Sequence, residues 1–271
     1  MKPERTFITG ASSGIGAALA EEAPKRGQQV ALFARRGDVL EEVARRADPD
    51  LERALIYAGN ATDPKSFAQA FQDAASKMGG CDTLVLNAGM GIPTRLEDLS
   101  ISSLREVFEL NFFGAVESAM TALPVLQASG RGHLVILSSM AAWRSGPGAS
   151  PYNASKAALS SFFEGLRPEL EAQGVGLMEV NPGFVRTPMT DRNPFSMPFL
   201  MESERAAKVI LRAIHRRKRH CSFPLPMTLL LGVARRLPDS WFDFLNRRLY
   251  RKLLRTGTHP AQSRSSSRIT E

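Results

Sequence analysis

Through the first 180 residues, short runs of apolar and β-branched residues alternate with longer stretches whose apolar positions recur at helical spacing. The short runs predict strands at Arg5 to Thr9, Gln29 to Ala34, Arg53 to Ala58, Thr83 to Leu86, Gly132 to Ser138 and Val175 to Val180, with helices in the gaps. That alternation is the pattern of βαβ units. It predicts an α/β fold in which a doubly wound parallel sheet carries helices on both faces and a ligand crevice at the carboxyl ends of its strands. Pro24 stands late in the first helix, where a helix interior resists it, so that helix is expected to kink or finish nearby.

The last third reads differently. From Thr187 to Pro198 the chain is rich in Pro, Met and Phe without a regular period, which predicts a mobile loop beside the crevice, a lid over substrate. A helical pattern from Ala206 to Arg217 runs into the cluster His215 to His220, read as cations that complement the helix dipole. After Pro224, Leu229, Leu230, Leu231, Leu237, Trp241, Phe244, Leu245 and Leu249 fall broadly at helical spacing among seven Lys and Arg residues. The organisation expected is a catalytic domain over 1–222, an amphipathic basic helical extension over 223–256 and a disordered Ser/Arg-rich tail over 257–271.

Length and composition fit this outline. A chain of 271 residues with 43% hydrophobic content can bury a sizeable core. Cys81 and Cys221 lie far apart with no metal-ligand spacing, which argues against a disulfide framework or a thiolate zinc site and for a reducing, cytoplasmic setting. The N-terminus runs straight into the first strand rather than through a signal sequence, and no run of 18 uncharged apolar residues predicts a spanning helix. The net charge of +8 is unevenly divided: residues 1–189 carry 18 Lys+Arg against 21 Asp+Glu, a balance of −3, and residues 190–271 carry 17 against 6, a balance of +11. A near-neutral body with a basic appendage suggests an anionic membrane surface as a partner of the extension. Packing on the domain or a dimer contact are the other uses of such helices. No nucleic-acid motif accompanies the charge, so nucleic acid is not expected as a partner.

The first strand leads into Thr9-Gly10-Ala11-Ser12-Ser13-Gly14-Ile15-Gly16, which opens a helix. Glycines at 10, 14 and 16 permit a tight turn, and the N-terminus of the helix offers free N–H groups and partial positive charge to a pyrophosphate. Farther on, Tyr152 and Lys156 stand four apart in a helical pattern and so project from one face. An ammonium beside a phenol favours phenolate and is expected to lower the tyrosine pKa, allowing proton exchange with a substrate oxygen. Ser139 closes the fifth strand thirteen residues earlier, where its hydroxyl could steady a carbonyl or alkoxide. Asn111 sits inside an apolar helix pattern, where a buried amide needs partners.

With these motifs in this order, the chain resembles the short-chain dehydrogenase/reductase family over roughly residues 5 to 190; its glycine turn matches that family's T-G-x-x-x-G-x-G fingerprint. The resemblance implies a nicotinamide-dependent oxidoreductase whose catalytic residues are Asn111, Ser139, Tyr152 and Lys156, with Asn111 holding a water that links the lysine to solvent. It assigns cofactor contacts to Gly10, Ser12, Ser13, Gly14, Ile15, Gly16, Arg35, Asn60, Ala61, Asn87, Tyr152, Lys156 and Thr187. Asn87-Ala88-Gly89 and Asn181-Pro182-Gly183 match further family motifs. The family's usual Asp-Val at the third strand is replaced by Asn60-Ala61, which keeps an acceptor oxygen for adenine.

The second strand ends in Arg35-Arg36 with no acid before Asp38. An acid there would accept from the ribose hydroxyls of NAD(H), whereas a cation suits a 2′-phosphate, so NADP(H) is the preferred cofactor and NAD(H) the alternative. The reaction expected is hydride transfer between nicotinamide and a carbonyl or secondary alcohol of a lipophilic substrate such as a keto-lipid, retinoid or sterol. Assembly as a homodimer or homotetramer is common in the family. The other readings are a non-catalytic NADPH-binding sensor or scaffold and an NAD-linked alcohol dehydrogenase.

Overall fold

In a computed structural model of the chain, residues 4–193 and 196–255 are described; the tail beyond 255 and the tip of the 187–198 loop, at 194–195, lie outside them. The strands are β1 (Arg5–Thr9), β2 (Gln29–Ala34), β3 (Ala54–Ala58), β4 (Thr83–Leu86), β5 (His133–Leu137), β6 (Gly176–Pro182) and β7 (His220–Phe223). They form one parallel sheet in the order β3-β2-β1-β4-β5-β6-β7. Because the strands are buried on both faces they read as near-continuous apolar runs, Phe7-Ile8 and Val30-Ala31-Leu32-Phe33 among them. The chain reverses direction across the sheet between β1 and β4, which leaves a crevice at their carboxyl ends.

Helices α1 (Gly14–Glu22), α2 (Gly37–Ala47) and α7 (Ser203–His215) cover one face over a core that includes Ile8, Leu19, Leu32, Val85 and Ile210. On the other face lie α3 (Pro64–Met78), α4 (Ile101–Phe108), α5 (Gly114–Ala128) and α6 (Ser150–Ala172), with Phe7, Phe33, Phe67 and Phe71 packed as an aromatic cluster beneath α3. Between α4 and α5 a single π turn, Glu109–Phe113, interrupts the helix. Two further helices, α8 (Leu225–Ala234) and α9 (Asp239–Arg255), end the described chain.

Most elements fall where the apolar pattern predicts them, and the departures have local causes. Helix α1 stops at Glu22, and Pro24 opens a short 3-10 turn, as a proline with no N–H to donate requires. Strand β3 begins one residue late because the Arg53 and Ala54 N–H groups go to the Asp48 carboxylate. Strand β6 runs on to Pro182, held by pairing with β7. The apolar pattern does not predict the seventh strand: the cluster His215 to His220 reads as a helix end, and only the open edge of β6 makes His220 and the three residues after it a strand. The extension is broken into two helices at Leu237-Pro238, where the proline and its predecessor are both restrained from continuing α8.

Candidate active site

The turn after β1 is shaped by what it must pass. Gly10 and Gly14 have φ of +66° and +57°, a region costly for residues with a Cβ. A Cβ on Gly16 would run into the Gly10 carbonyl oxygen and Asn87 Nδ2. Asn87, at the end of β4, clamps the turn from the other side: its Nδ2 donates to the carbonyls of Thr9 and Gly10, both at 3.0 Å, and its N–H donates to Thr9 Oγ1. Ser13 precedes α1 with extended backbone and no capping bond from its side chain, so the first N–H groups of α1 face the cleft without a side-chain partner.

A cleft of about 730 Å³ opens above this turn, and all four proposed catalytic positions fall at or beside it. Gly10, Ser12, Ser13, Gly14, Ile15, Arg35, Asn60, Ala61, Asn87, Ser139, Tyr152, Lys156 and Thr187 line it; Gly16 and Asn111 stand just behind its wall. Arg36, which the sequence reading left out of the contacts, also lines it, and its Nη2 donates to Ser12 Oγ at 3.2 Å. Arg35 and Arg36 are both exposed, and neither makes an ion pair among the described residues. Asn60 Oδ1 already accepts from Thr62 N–H, so one of its two acceptor positions is spent on its own turn. Thr187 packs on Gly14, where a Cβ would meet its methyl at 2.8 Å, while its hydroxyl is tied to Thr190.

Tyr152 and Lys156 are placed in the cleft by α6. Its first turn carries Tyr152 and its second Lys156, whose Nζ donates to the Leu137 carbonyl at 2.7 Å, at the end of β5. Lys156 is buried, and burial pushes its pKa down to about 8. Burial also holds the Tyr152 phenol above its ordinary value, and a hydrogen bond from Ser139 offsets only part of that rise. This corrects the expectation of a phenol lowered by its lysine neighbour: the ammonium is spent on a carbonyl, and the removal of both groups from water dominates. Gly91 lies against the Tyr152 ring, where a Cβ would come within 3.3 Å.

Asn111 belongs to the π turn and is fully buried. Its Oδ1 accepts from Met90 N–H at 2.8 Å, and its Nδ2 donates to the Met90 carbonyl and to Ser155 Oγ, both at 2.9 Å. Its side chain is therefore occupied with protein partners, and it fixes the segment after β4 to α6. Ser155 was not singled out from the sequence; a small polar residue inside an apolar helix pattern was the available signal. Among the described residues, no group of His, Cys, Asp and Glu could hold a metal ion.

An uncapped helix N-terminus, a glycine turn with no room for side chains and two guanidinium groups without acidic partners at one rim form a donor set that fits a dinucleotide with phosphates along the turn. The fold is Rossmann-type, and Ser139, Tyr152 and Lys156 meet in its cleft. Residues 4–195 match the family model for short chain dehydrogenases, and the chain belongs to that family. It is 35% identical over 252 residues to a Myxococcus xanthus protein described as an uncharacterized oxidoreductase, covering 92% of this chain and 98% of that one. It is 40% identical over 188 residues to 11-beta-hydroxysteroid dehydrogenase A of Sesamum indicum, covering 68% of this chain but only 53% of that relative. The crystal structure of a short-chain dehydrogenase from Streptomyces avermitilis superposes with a TM-score of 0.78 at 28% identity, covering 95% of this chain and all of that one.

Proposed function

We propose that the protein is an NADP(H)-dependent oxidoreductase acting on a carbonyl or secondary alcohol of an apolar substrate. The observation that carries this reading is the meeting of Ser139, Tyr152 and Lys156 with the glycine turn in one cleft. Gly10, Ser12, Ser13, Gly14, Ile15 and Gly16 would hold the pyrophosphate, Asn60 and Ala61 the adenine end, and Asn87, Lys156 and Thr187 the nicotinamide half. Arg35 and Arg36 would pair with a 2′-phosphate, and their exposure without acidic partners supports NADP(H) over NAD(H). When bound, the nicotinamide supplies or accepts the hydride.

The chain's own residues manage the oxygen and its proton. Tyr152, with its pKa held up by burial, carries its proton at neutral pH and can deliver it from Oη to a carbonyl oxygen that Ser139 Oγ steadies. Lys156 is still charged near neutrality and contributes positive potential as negative charge develops. The raised phenol pKa suits the reductive direction. Met90, Ile92, Val185, Pro188 and Met189 are among the residues that line the cleft, which supports an apolar substrate, as does similarity to a hydroxysteroid dehydrogenase.

Exposed Phe113 and Met120, with Phe162 on the neighbouring helix, make an apolar patch that would serve a homodimer. The basic extension would meet an anionic membrane surface. The test of the catalytic reading is a series of ketones of increasing chain length, each with NADPH and with NADH, run for wild type and Tyr152→Phe. NADPH-dependent reduction that Tyr152→Phe loses supports it; full activity in that variant overturns the assignment.

A further inference from the structure

The C-terminal helices carry a surface that the reaction does not use. On α8, Leu225, Leu229 and Val233 stand at i, i+4 and i+8 and are all exposed, with Leu230 beside them. On α9, Trp241 is 68% exposed and Phe244 59%, with Leu245 and Leu249 close behind. Large exposed apolar residues along a helix face mark a contact surface on each of the two helices. Arg235, Arg236, Arg247, Arg248 and Arg251 are exposed around them. Residues 223–255 hold seven Lys or Arg against two Asp and no Glu. Among the described residues, the one ion pair made by either helix is Asp239 with Arg144.

Apolar side chains interleaved with unpaired guanidinium groups suit an interface whose interior is hydrocarbon and whose rim is anionic, where the arginine stems lie along the apolar part and the heads reach outward. A second copy of this chain would set the same arginines against one another. Charge complementarity therefore favours an anionic lipid surface. Among the described residues no helix is long and apolar enough to cross a membrane, so the contact would be with the surface.

One helix touches the rim of the cleft and the other the segment that leads to Tyr152. Pro224 and Met227 lie against Gly183, where a Cβ would meet each at 3.2 Å, and Gly183 lines the cleft. The Arg144 guanidinium lies 4.2 Å from the centre of the Phe242 ring and donates to the Leu237 carbonyl at 3.2 Å and to Asp239 Oδ1 at 3.0 Å. Asn246 donates to the Ser145 carbonyl at 3.3 Å. Arg144 and Ser145 belong to the segment that connects Ser139 to the helix of Tyr152.

We propose that α8 and α9 seat on an anionic lipid surface and that Arg144 tethers them to the Ser139–Tyr152 segment, so that seating turns the cleft mouth toward an apolar ketone or alcohol dissolved in the bilayer. Only the nature of the substrate rests on the function proposed above; the surface and the tether stand on their own contacts.

The test floats the full chain with vesicles of phosphatidylcholine alone or mixed with phosphatidylglycerol, and compares turnover of a long-chain alkyl ketone with that of a short water-soluble one. The expected result is flotation with the anionic vesicles only, lost at high salt, with the apparent KM for the long ketone lowered about tenfold. The double variant Trp241→Glu with Leu245→Glu changes exposed positions and should lose flotation and that gain while reducing the short ketone as wild type does. Arg144→Ala should float yet lose the vesicle-dependent fall in KM, with kcat for the short ketone unchanged. No flotation of wild type, or conversion of a dimer to monomers by the double variant, overturns the surface. A vesicle effect intact in Arg144→Ala overturns the tether. Flotation without any turnover of the short ketone supports the surface and overturns the catalytic reading instead.

Discussion

Asn111 and Ser155, on different helices and 44 positions apart, are joined by a 2.9 Å hydrogen bond that ties the π turn to the helix of the proposed catalytic residues. Ser155 Oγ donates in turn to the Tyr152 carbonyl at 2.8 Å, and Asn111 holds both backbone groups of Met90. One buried amide thus aligns three parts of the cleft: the strand after which Met90 follows, the π turn and the start of α6. The geometry gives Asn111 a positioning role that its place in an apolar sequence pattern did not specify.

Replacing Asn111 with Ala should strand the Met90 N–H and carbonyl in the interior. The loss expected is about 2–4 kcal/mol from these unsatisfied groups, read by urea unfolding of the cofactor-free protein. If the variant were as stable as wild type, water would be meeting those groups and the clamp would not be the support described.

The direction of the reaction should respond to pH with a definite sign. Tyr152 keeps its proton to higher pH than a free phenol, and Lys156, at about 8, is charged below that value and neutral above it. Ketone reduction, which consumes the phenol proton, should hold at neutral pH and decline as pH rises through about 8. Alcohol oxidation, which needs the phenolate, should climb only at pH above the range of a free phenol. Tyr152→Phe should lower turnover in both directions by roughly 10²–10⁴-fold with little change in NADPH binding by fluorescence titration.

The two arginines at the end of β2 should set cofactor choice. Changing Arg35 and Arg36 together to Ala should weaken NADPH binding by about 10–100-fold, the size expected for loss of charge-assisted contacts to phosphate, and leave NADH binding nearly unchanged. Equal loss for both nucleotides in calorimetric titrations would point to a role on the shared pyrophosphate instead, for which Arg36 is placed through Ser12.

Acid should destabilise the fold through His133, far from the cleft at the start of β5. It is buried, and its Nδ1 has no hydrogen-bond partner among the described residues. Burial, helped by the nearby Arg217 charge, pushes its pKa down to about 4. The unfolded chain therefore binds the proton more readily. Its contribution is intact above about 6.5 and is lost as pH falls toward about 4, on the order of 3 kcal/mol in all. Asp82 adds to the acid loss: burial opposes its charge, but hydrogen bonds from Arg5 and Arg131 keep its pKa below the ordinary value. His133→Leu should flatten the stability profile between these limits, leaving the Asp82 share; an unchanged slope would clear the histidine.

Much of the molecule was legible along the chain because its strands are buried on both faces and its helices on one. Those two periodicities differ enough to locate six of the seven strands within two residues at either end. The glycine turn, Ser139, Tyr152 and Lys156 could be singled out because each residue type is restricted there by its own chemistry. Strand β7 carries no such mark: four residues beside a run of cations become a strand only because β6 has an open edge. The contacts of Ser155 and of Arg36 with Ser12 were not legible along the chain, since the partners lie 44 and 24 positions away.

The sequence by itself determined the order of strands and helices, the parallel sheet that this order implies and the identity of the groups that could do chemistry, because periodicity and residue type act locally. Tertiary structure alone decided how those groups are charged and held. Burial raised the phenol and lowered the lysine against the expectation from their spacing, since desolvation depends on everything packed around a group. Packing also brought α8 to the cleft rim at Gly183 and α9 to the segment between Ser139 and Tyr152, where a contact across about a hundred positions joins Asn246 to Ser145.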